Sequence, residues 1–441
     1  MRTYNSLKIE TYITWGFLSL ILAGTLLLWA CNAIWGERIS LLDALFLSTS
    51  SVCVTGLSTV DIGRALPLPS QLVMVVLIQL GGIGIMATTT TLLLLAGHRL
   101  RVRDRLYLAG GFGMESPRGV IRLLHMVIAY TLLFEAAGAL LLFFKFLAEA
   151  IPAGRALHYA VFHSVSAFCN AGFSPFSDNL EGYAGTYFLP AVVMTLVAAG
   201  GIGFPVIAEL VDYRKKRISF LSPYAKLVLL SSAALTLGGG LLLAFTEWDA
   251  AFAHLPAPLR FWNGLFGSVT ARTAGFDTVP YATWSAEGSM ITILLMLIGA
   301  SPSSTGGGMK TTTFVVLLWS AWTELRQNEE VRIWHRQIPP ATIRRALAFA
   351  FLYLFTLFAA SLALSAIEPL SYASLAFEAV SALGTVGLTR GITTALSPAG
   401  KMVIILLMFW GRVGLLTFFF SIVPKERLAE VHLPATNVPI G

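Results

Sequence analysis

The chain has 441 residues, of which 56% are hydrophobic and only 12% charged, against about a quarter in soluble domains, so it belongs in a bilayer. Its net charge of +7 does not mark a nucleic-acid protein, because the basic residues fall in short clusters between apolar runs and form no single patch. Three cysteines without a CxxC pair, Cys31, Cys53 and Cys169, exclude a disulfide framework and a tetrahedral thiolate metal site.

A helix needs about 20 residues to cross the hydrocarbon core. Apolar stretches of that order predict eight spans, from Tyr12 to Trp35, Leu72 to Gly97, Val127 to Leu147, Tyr187 to Val211, Lys226 to Phe245, Met290 to Trp322, Leu347 to Ala366 and Met402 to Val423. Within each successive pair lies a segment too short to span: Leu41 to Cys53, Leu157 to Cys169, Leu259 to Ala271 and Tyr372 to Gly384. Each ends in a glycine-containing loop and reads as a re-entrant half-helix. The first span lacks a convincing cleavage site and is expected to be retained. Of the 30 lysines and arginines, 20 fall in the segments 1–10, 98–122, 212–226, 323–345 and 424–441, which places these segments and both termini in the cytoplasm.

The four re-entrant loops read SVCVTGLS, SAFCNAGFS, VTARTAGFDT and SALGTVGLT, and align on Gly56, Gly172, Gly275 and Gly387, a period of about 110 residues. Six residues before each glycine stand Ser50, Ser166, Val269 and Ser381. The second span of a unit repeats as well, Gly81-Gly82-Ile83-Gly84 matching Gly200-Gly201-Ile202-Gly203 and, more loosely, Gly411-Arg412-Val413-Gly414. The fold class is therefore an all-α integral membrane protein, with four helix, pore-helix, helix units around one central pore. Their limits are 1–105, 106–219, 220–338 and 339–430, with a tail at 431–441.

A glycine takes positive φ at little steric cost, which lets successive carbonyls turn toward a common axis. Four such loops can form a ring whose carbonyls replace a cation's hydration shell, helped by the negative ends of four half-helices. The expected ring residues are Val54, Thr55 and Gly56, then Asn170, Ala171 and Gly172, then Thr273, Ala274 and Gly275, and finally Thr385, Val386 and Gly387.

This arrangement resembles the Trk/Ktr/HKT superfamily of potassium transporters, and among them the KtrB-type membrane subunits. The match covers nearly the whole chain, including its NVPIG end, and the two extra N-terminal helices typical of Trk-type subunits are not seen. The resemblance implies potassium as the transported ion, with Gly56 at the position where sodium-preferring plant relatives carry serine. It also implies a homodimer with one pore per chain in the bacterial inner membrane, its C-terminus at the dimer contact. The implied partner is a cytosolic ring of KtrA-type subunits that bind ATP or ADP; the chain itself has no phosphate loop and no organic cofactor. Docking and coupling are expected at 212–226 and 323–345 together with Gly299 to Thr313, and sodium coupling is left open.

The sixth span is interrupted by Gly299, Ala300, Ser301, Pro302, Ser303, Ser304, Thr305, Gly306, Gly307, Gly308, Met309 and Lys310. Proline and consecutive glycines do not continue a helix, and irregular backbone at membrane depth belongs in a pore. By the resemblance, this segment is an intramembrane loop that blocks conduction beneath the filter. Arg412 lies mid-span, where an arginine costs on the order of 3 kcal/mol on insertion scales. Its alignment with Gly82 and Gly201 points it at the axis below the ring. There it is expected to donate to carbonyls or hydroxyls of 299–313 and to oppose cation passage, with Lys310 as a second candidate.

Among other polar residues, Asp277 reads equally as a cation-collecting group at the outer mouth and as the local partner of Arg272. Asp43, His163, Asn263 and Glu378 read as capping or packing groups on the half-helices, and Glu135 as a bond between helices. Cys53 and Cys169 contribute carbonyls only. A secondary transporter with a broken-helix midplane site is the alternative, but it predicts two homologous halves. No HExxH and no converging Ser, His and acid set supports an enzyme.

Overall fold

The computed structural model describes residues 9–422, apart from 85, 86, 89, 92, 93, 95–104, 107, 110–117, 329 and 335. Expectations placed on the basic segment 424–441 with its tail 431–441, and on most of the basic segment 98–122, lie outside the described residues. The first unit contains α1 (Ile9–Trp35), α2 (Leu41–Val52) and α3 (Leu68–Ile83). The second contains α4 (Val120–Ala148), α5 (Ala153–Phe168), α6 (Phe188–Gly201) and α7 (Phe204–Arg214). The third contains α8 (Pro223–Thr246), α9 (Ala257–Ala271), α10 (Ala286–Leu297) and α11 (Thr311–Leu325). A two-stranded antiparallel hairpin, β1 (Arg332–Ile333) with β2 (Arg336–Gln337), leads into the fourth: α12 (Pro340–Ile367), α13 (Tyr372–Gly384), α14 (Pro398–Val413) and α15 (Leu415–Ile422).

Helix starts follow local chemistry. Ser40, Ser222, Ser285, Ser371 and Ser397 each accept a hydrogen bond from a first-turn amide, and proline occupies the first or second position of α8, α12 and α14. Among the described residues, α1, α4, α8 and α12 are the unbroken helices long and apolar enough to cross a membrane.

This corrects the sequence reading, in which only the sixth of eight spans was interrupted. The helix that follows each pore helix is broken as well. α3 stops at Gly84 (φ 95°), α6 and α7 meet at Gly203 (φ 99°) with a bend of 96°, and α14 and α15 meet at Gly414 (φ 89°). In each case the last glycine of the repeated motif takes the left-handed conformation that ends an α-helix. The apolar residues on either side hide that break from a hydropathy scan.

Packing within the units reuses one device. Ser48 Oγ donates to the Ile21 carbonyl at 2.7 Å, Ser164 Oγ to Glu135 at 2.7 Å and Ser268 Oγ to Leu235 at 3.0 Å. Gly24, Gly138 and Gly239 make room for these serines, and the same three glycines lie against Leu77, Leu196 and Leu295 of the following helix. Without an apolar driving force in lipid, such small-residue contacts and interhelical hydrogen bonds hold helices together. A second glycine sets the depth of the following helix. A Cβ on Gly81, Gly200 or Gly411 would fall on the Val52, Phe168 or Leu383 carbonyl near the end of α2, α5 or α13. The third unit has no counterpart, because its chain turns away at Ile298.

Candidate functional site

The pore helices α2, α5, α9 and α13 end one or two residues before a left-handed residue: Val54 (φ 55°), Asn170 (φ 61°), Thr273 (φ 67°) and Thr385 (φ 50°). Two residues later, Gly56 (φ 102°), Gly172 (φ 69°), Gly275 (φ 78°) and Gly387 (φ 96°) are left-handed again. The glycines were legible in the sequence; the residues two before them were not, because Val, Asn and Thr carry no common turn signal. These loops form a closed circuit in chain order. A Cβ on Gly56 would meet the Ala171 carbonyl oxygen at 2.5 Å, on Gly172 that of Ala274 at 2.6 Å, and on Gly275 that of Val386 at 2.5 Å. On Gly387 it would strike the carbonyl of Thr55. Thus Thr55, Ala171, Ala274 and Val386 each present a carbonyl against a neighbouring loop's glycine, and any larger residue there collides with backbone.

Hydroxyls of the pore helices anchor the loops from behind. The Gly56 amide donates to Ser50 Oγ at 3.1 Å and the Gly387 amide to Ser381 Oγ at 3.0 Å. Ser166 Oγ donates to the Phe173 carbonyl at 2.8 Å. In the third loop the anchor is Thr270, whose Oγ1 donates to Phe276 at 2.6 Å, and not the aligned Val269. A one-residue offset in that loop conceals it from alignment.

Beyond the glycines the second, third and fourth loops return to their own pore helices. His163 Nε2 and Ser174 Oγ lie 3.0 Å apart, Thr278 Oγ1 donates to Asn263 at 2.6 Å, and Thr389 Oγ1 donates to Glu378 at 2.8 Å. Asp43 instead binds Lys401 of α14 at 2.7 Å. Gln79 of α3 donates to Glu135 of α4 at 3.2 Å, linking two helices. The buried Cys53 and Cys169 are both free thiols.

On the glycine side of the ring opens a cavity of about 220 Å³, lined by Asp61, Asp178, Glu181 and Asp277 together with the four glycines. Among the described residues, no basic residue lines it. Asp277 accepts a bond at its backbone carbonyl from the Leu180 amide at 3.1 Å. Its expected alternative, pairing with Arg272, is corrected by the structure: Arg272 turns away from the mouth and donates to Thr236 Oγ1 of α8 at 2.7 Å. Burial, with Glu181 and Asp178 beside it, pushes the Asp277 carboxyl up to about 8.

On the opposite side of the ring sits the segment 299–310. Its neck is closed by the Gly299 amide donating to Met309 at 2.7 Å and by a bridge between Ile298 and Met309. Three backbone bonds attach it to the break between α6 and α7: Ser301 to Gly201 at 3.2 Å, Thr305 to Gly200 at 3.2 Å, and Phe204 to Ser303 at 2.9 Å. Pro302 accepts from Tyr224 of α8 at 3.3 Å, and Ser304 Oγ donates to Ser301 at 2.6 Å. Ala300 is buried and accepts from Thr311. The turn of three glycines lies directly under the ring: Gly306 against Thr273 Oγ1, Gly307 against Thr385 Oγ1 and Gly308 against Gly384.

Arg412, near the end of α14, donates to the Thr305 carbonyl and to those of Gly81 and Gly82, the last at 3.1 Å. It therefore joins the fourth unit, the intramembrane segment and the first unit. Lys310 Nζ donates to Gly306 at 2.8 Å across the neck. The three hydrogen bonds that this guanidinium makes all go to backbone carbonyls.

Comparison with known proteins matches this architecture over nearly its whole length. The TrkH family model, described as a cation transport protein, matches residues 8–430. The Ktr system potassium uptake protein B of Bacillus subtilis is 34% identical over 427 residues, covering 96% of this chain and 95% of its own. The potassium/sodium uptake protein NtpJ of Enterococcus hirae is 35% identical over 434 residues, covering 97% and 96%. The crystal structure of the potassium transporter TrkH from Vibrio parahaemolyticus superposes with a TM-score of 0.73 at 21% identity, covering 96% of this chain and 87% of that one, a likeness of fold. With a family model matched across four units and both sides of the ring, the chain belongs to the TrkH family of cation transport proteins.

Proposed function

We infer that this chain is the membrane subunit of a potassium uptake system, conducting K⁺ through the carbonyl ring of its four loops. The circuit of glycine and carbonyl contacts carries this reading: the carbonyls of Thr55, Ala171, Ala274 and Val386 approach from four sides and can stand in for water around a monovalent cation. The acidic cavity concentrates cations at one face. Each of the units 1–105, 106–219, 220–338 and 339–430 supplies one quarter of the ring. Relatives named for potassium and for potassium with sodium support monovalent cations as cargo, with K⁺ preferred because all four positions are glycine.

The segment Gly299 to Lys310 acts as the gate, held closed by Arg412, whose charge also opposes cations below the ring. The similarity to bacterial Ktr subunits supports residence in the bacterial inner membrane, and the distribution of basic residues supports cytoplasmic termini. The similarity to Ktr system subunits supports a homodimer regulated by a nucleotide-binding KtrA-type ring, docking at 212–226 and 323–345.

The deciding experiment is flux into proteoliposomes carrying the purified chain, under K⁺ or Na⁺ gradients, with and without a KtrA-type ring and ATP. Selective K⁺ flux is expected, and Gly387→Ser, which sets a side chain against the Thr55 carbonyl, should cut the preference for K⁺ about tenfold or more, a change of about 1.4 kcal/mol. Folded protein silent to K⁺ under every condition would overturn the reading in favour of a secondary transporter of another solute.

A further inference from the structure

The cavity below the ring has the wrong charge for a cation path. Where the outer cavity is lined by carboxylates, the inner one, about 450 Å³, is lined among the described residues by Lys310, Arg345 and Arg412 and by no acidic residue. Hydroxyls of Thr312, Thr313, Thr342 and Thr417 share its wall. Arg412 is committed to three carbonyls and Lys310 to one, which leaves two ammonium protons of Lys310 unused. Arg345 has no hydrogen bond or ion pair within the chain among the described residues and is exposed.

Two helix N-termini meet at the same cavity. α11 begins at Thr311 with no side-chain cap, and α15 begins at Leu415 after the break at Gly414. The Thr311 amide is taken by the Ala300 carbonyl, and the positive dipole ends of both helices face the space between them. Cations, hydroxyls and helix N-termini without a carboxylate describe an anion site, and its volume falls in the range of small-molecule pockets.

Its depth narrows the occupant. The far half of α11 carries exposed Trp319 and Trp322, with Arg326 over the Trp322 ring at 4.8 Å, the pattern of a membrane interface. Arg345 lies in the second turn of α12, which starts on that same side, and Lys310 and Arg412 lie deeper. A basic pocket between helices at that level suits a phosphate ester presented from the membrane interface.

We propose that the cavity between α11, α12 and α15 binds a phosphate-bearing anion, foremost the headgroup of an anionic phospholipid, through Arg345, Lys310 and the first turn of α11. Binding would offset the positive charge below the ring and loosen the hold of Lys310 on Gly306. That second consequence rests on the conduction reading above; the binding itself does not.

The test measures binding directly. Purified, delipidated full-length chain is titrated with phosphatidylglycerol, phosphatidylcholine or inorganic phosphate, and bound ligand is counted by native mass spectrometry. The same measurement is made on Arg345→Gln and on Arg344→Gln, a neighbour of equal charge that does not line the cavity. Phosphatidylglycerol should bind the unaltered chain and Arg344→Gln alike and bind Arg345→Gln about tenfold more weakly, with phosphatidylcholine retained by none. Competition by inorganic phosphate assigns the site to a free anion, and its failure to compete assigns it to lipid; both sustain the site. Equal binding by both variants, or no preference for the anionic lipid, overturns it. A flux measurement in vesicles with and without phosphatidylglycerol then reports on gating separately: flux that is insensitive to a lipid shown to bind removes the gating consequence and leaves the site intact.

Discussion

Arg412 joins three backbone segments through donors that have no carboxylate to answer them. Hydrogen bonds to a charged group contribute about 1.5–3 kcal/mol each, so on the proposed gating role of 299–310 deleting them should shift the balance between closed and open states by tenfold or more. Arg412→Ala is expected to raise K⁺ flux in proteoliposomes by at least that factor; unchanged flux from folded protein would remove the arginine from the gate. Asp277 makes a prediction about pH. Its carboxyl, pushed up to about 8 by burial and by Glu181 and Asp178, is charged above that value and neutral below it. Uptake should therefore fall as external pH drops through about 8, by up to about fivefold at low salt, the effect of one surface charge at close range. Asp277→Asn should give the lower flux at every pH, and a step that survives this substitution would point to another group.

At the scale of the element, the glycines of α8 separate packing from mere composition. Gly239 lies against Ser268 and Leu295, whereas nothing stands within 4 Å of where a Cβ on Gly238 would be. Gly239→Val is expected to destabilise the protein by about 1–3 kcal/mol through overpacking, read as a lowered midpoint in thermal unfolding in detergent. Gly238→Ala should be neutral or slightly stabilising. Equal effects at the two positions would mean that the contact between α8 and α9 does not depend on that glycine. The broken helices teach a related lesson. Gly84, Gly203 and Gly414 appear in the sequence within repeated motifs, yet a glycine in an apolar run is equally compatible with close packing and with a break. Gly81 and Gly200 in the same motifs do pack, against Val52 and Phe168.

For the whole molecule, the periodic loops, the eight apolar stretches and the irregular segment 299–310 were readable from the chain alone. Each reflects a local requirement repeated at a fixed spacing: apolar length for the bilayer, glycine for positive φ, and proline with glycine for interrupted helix. Several features depended on neighbours distant in sequence. The residues Val54, Asn170, Thr273 and Thr385 are left-handed because the anchoring hydroxyls and the adjoining loops hold them so, and their side chains share no propensity. Pairing of Arg272 with Asp277 was one of two equal readings of residues five apart, but Thr236, 36 residues away in sequence, takes the guanidinium. Thr270 replaced Val269 for the same reason: a hydroxyl's position in space, and not its alignment, decides which carbonyl it reaches. Sequence thus determined that this is a membrane protein of four similar units, each bringing one glycine to a common level, because these traits are written in composition and period. The closure of the four loops into one ring, the seating of 299–310 beneath it and the opposite charge of its two faces were decided by tertiary structure, because they are contacts between segments far apart in the chain, for which the sequence carries no local signal.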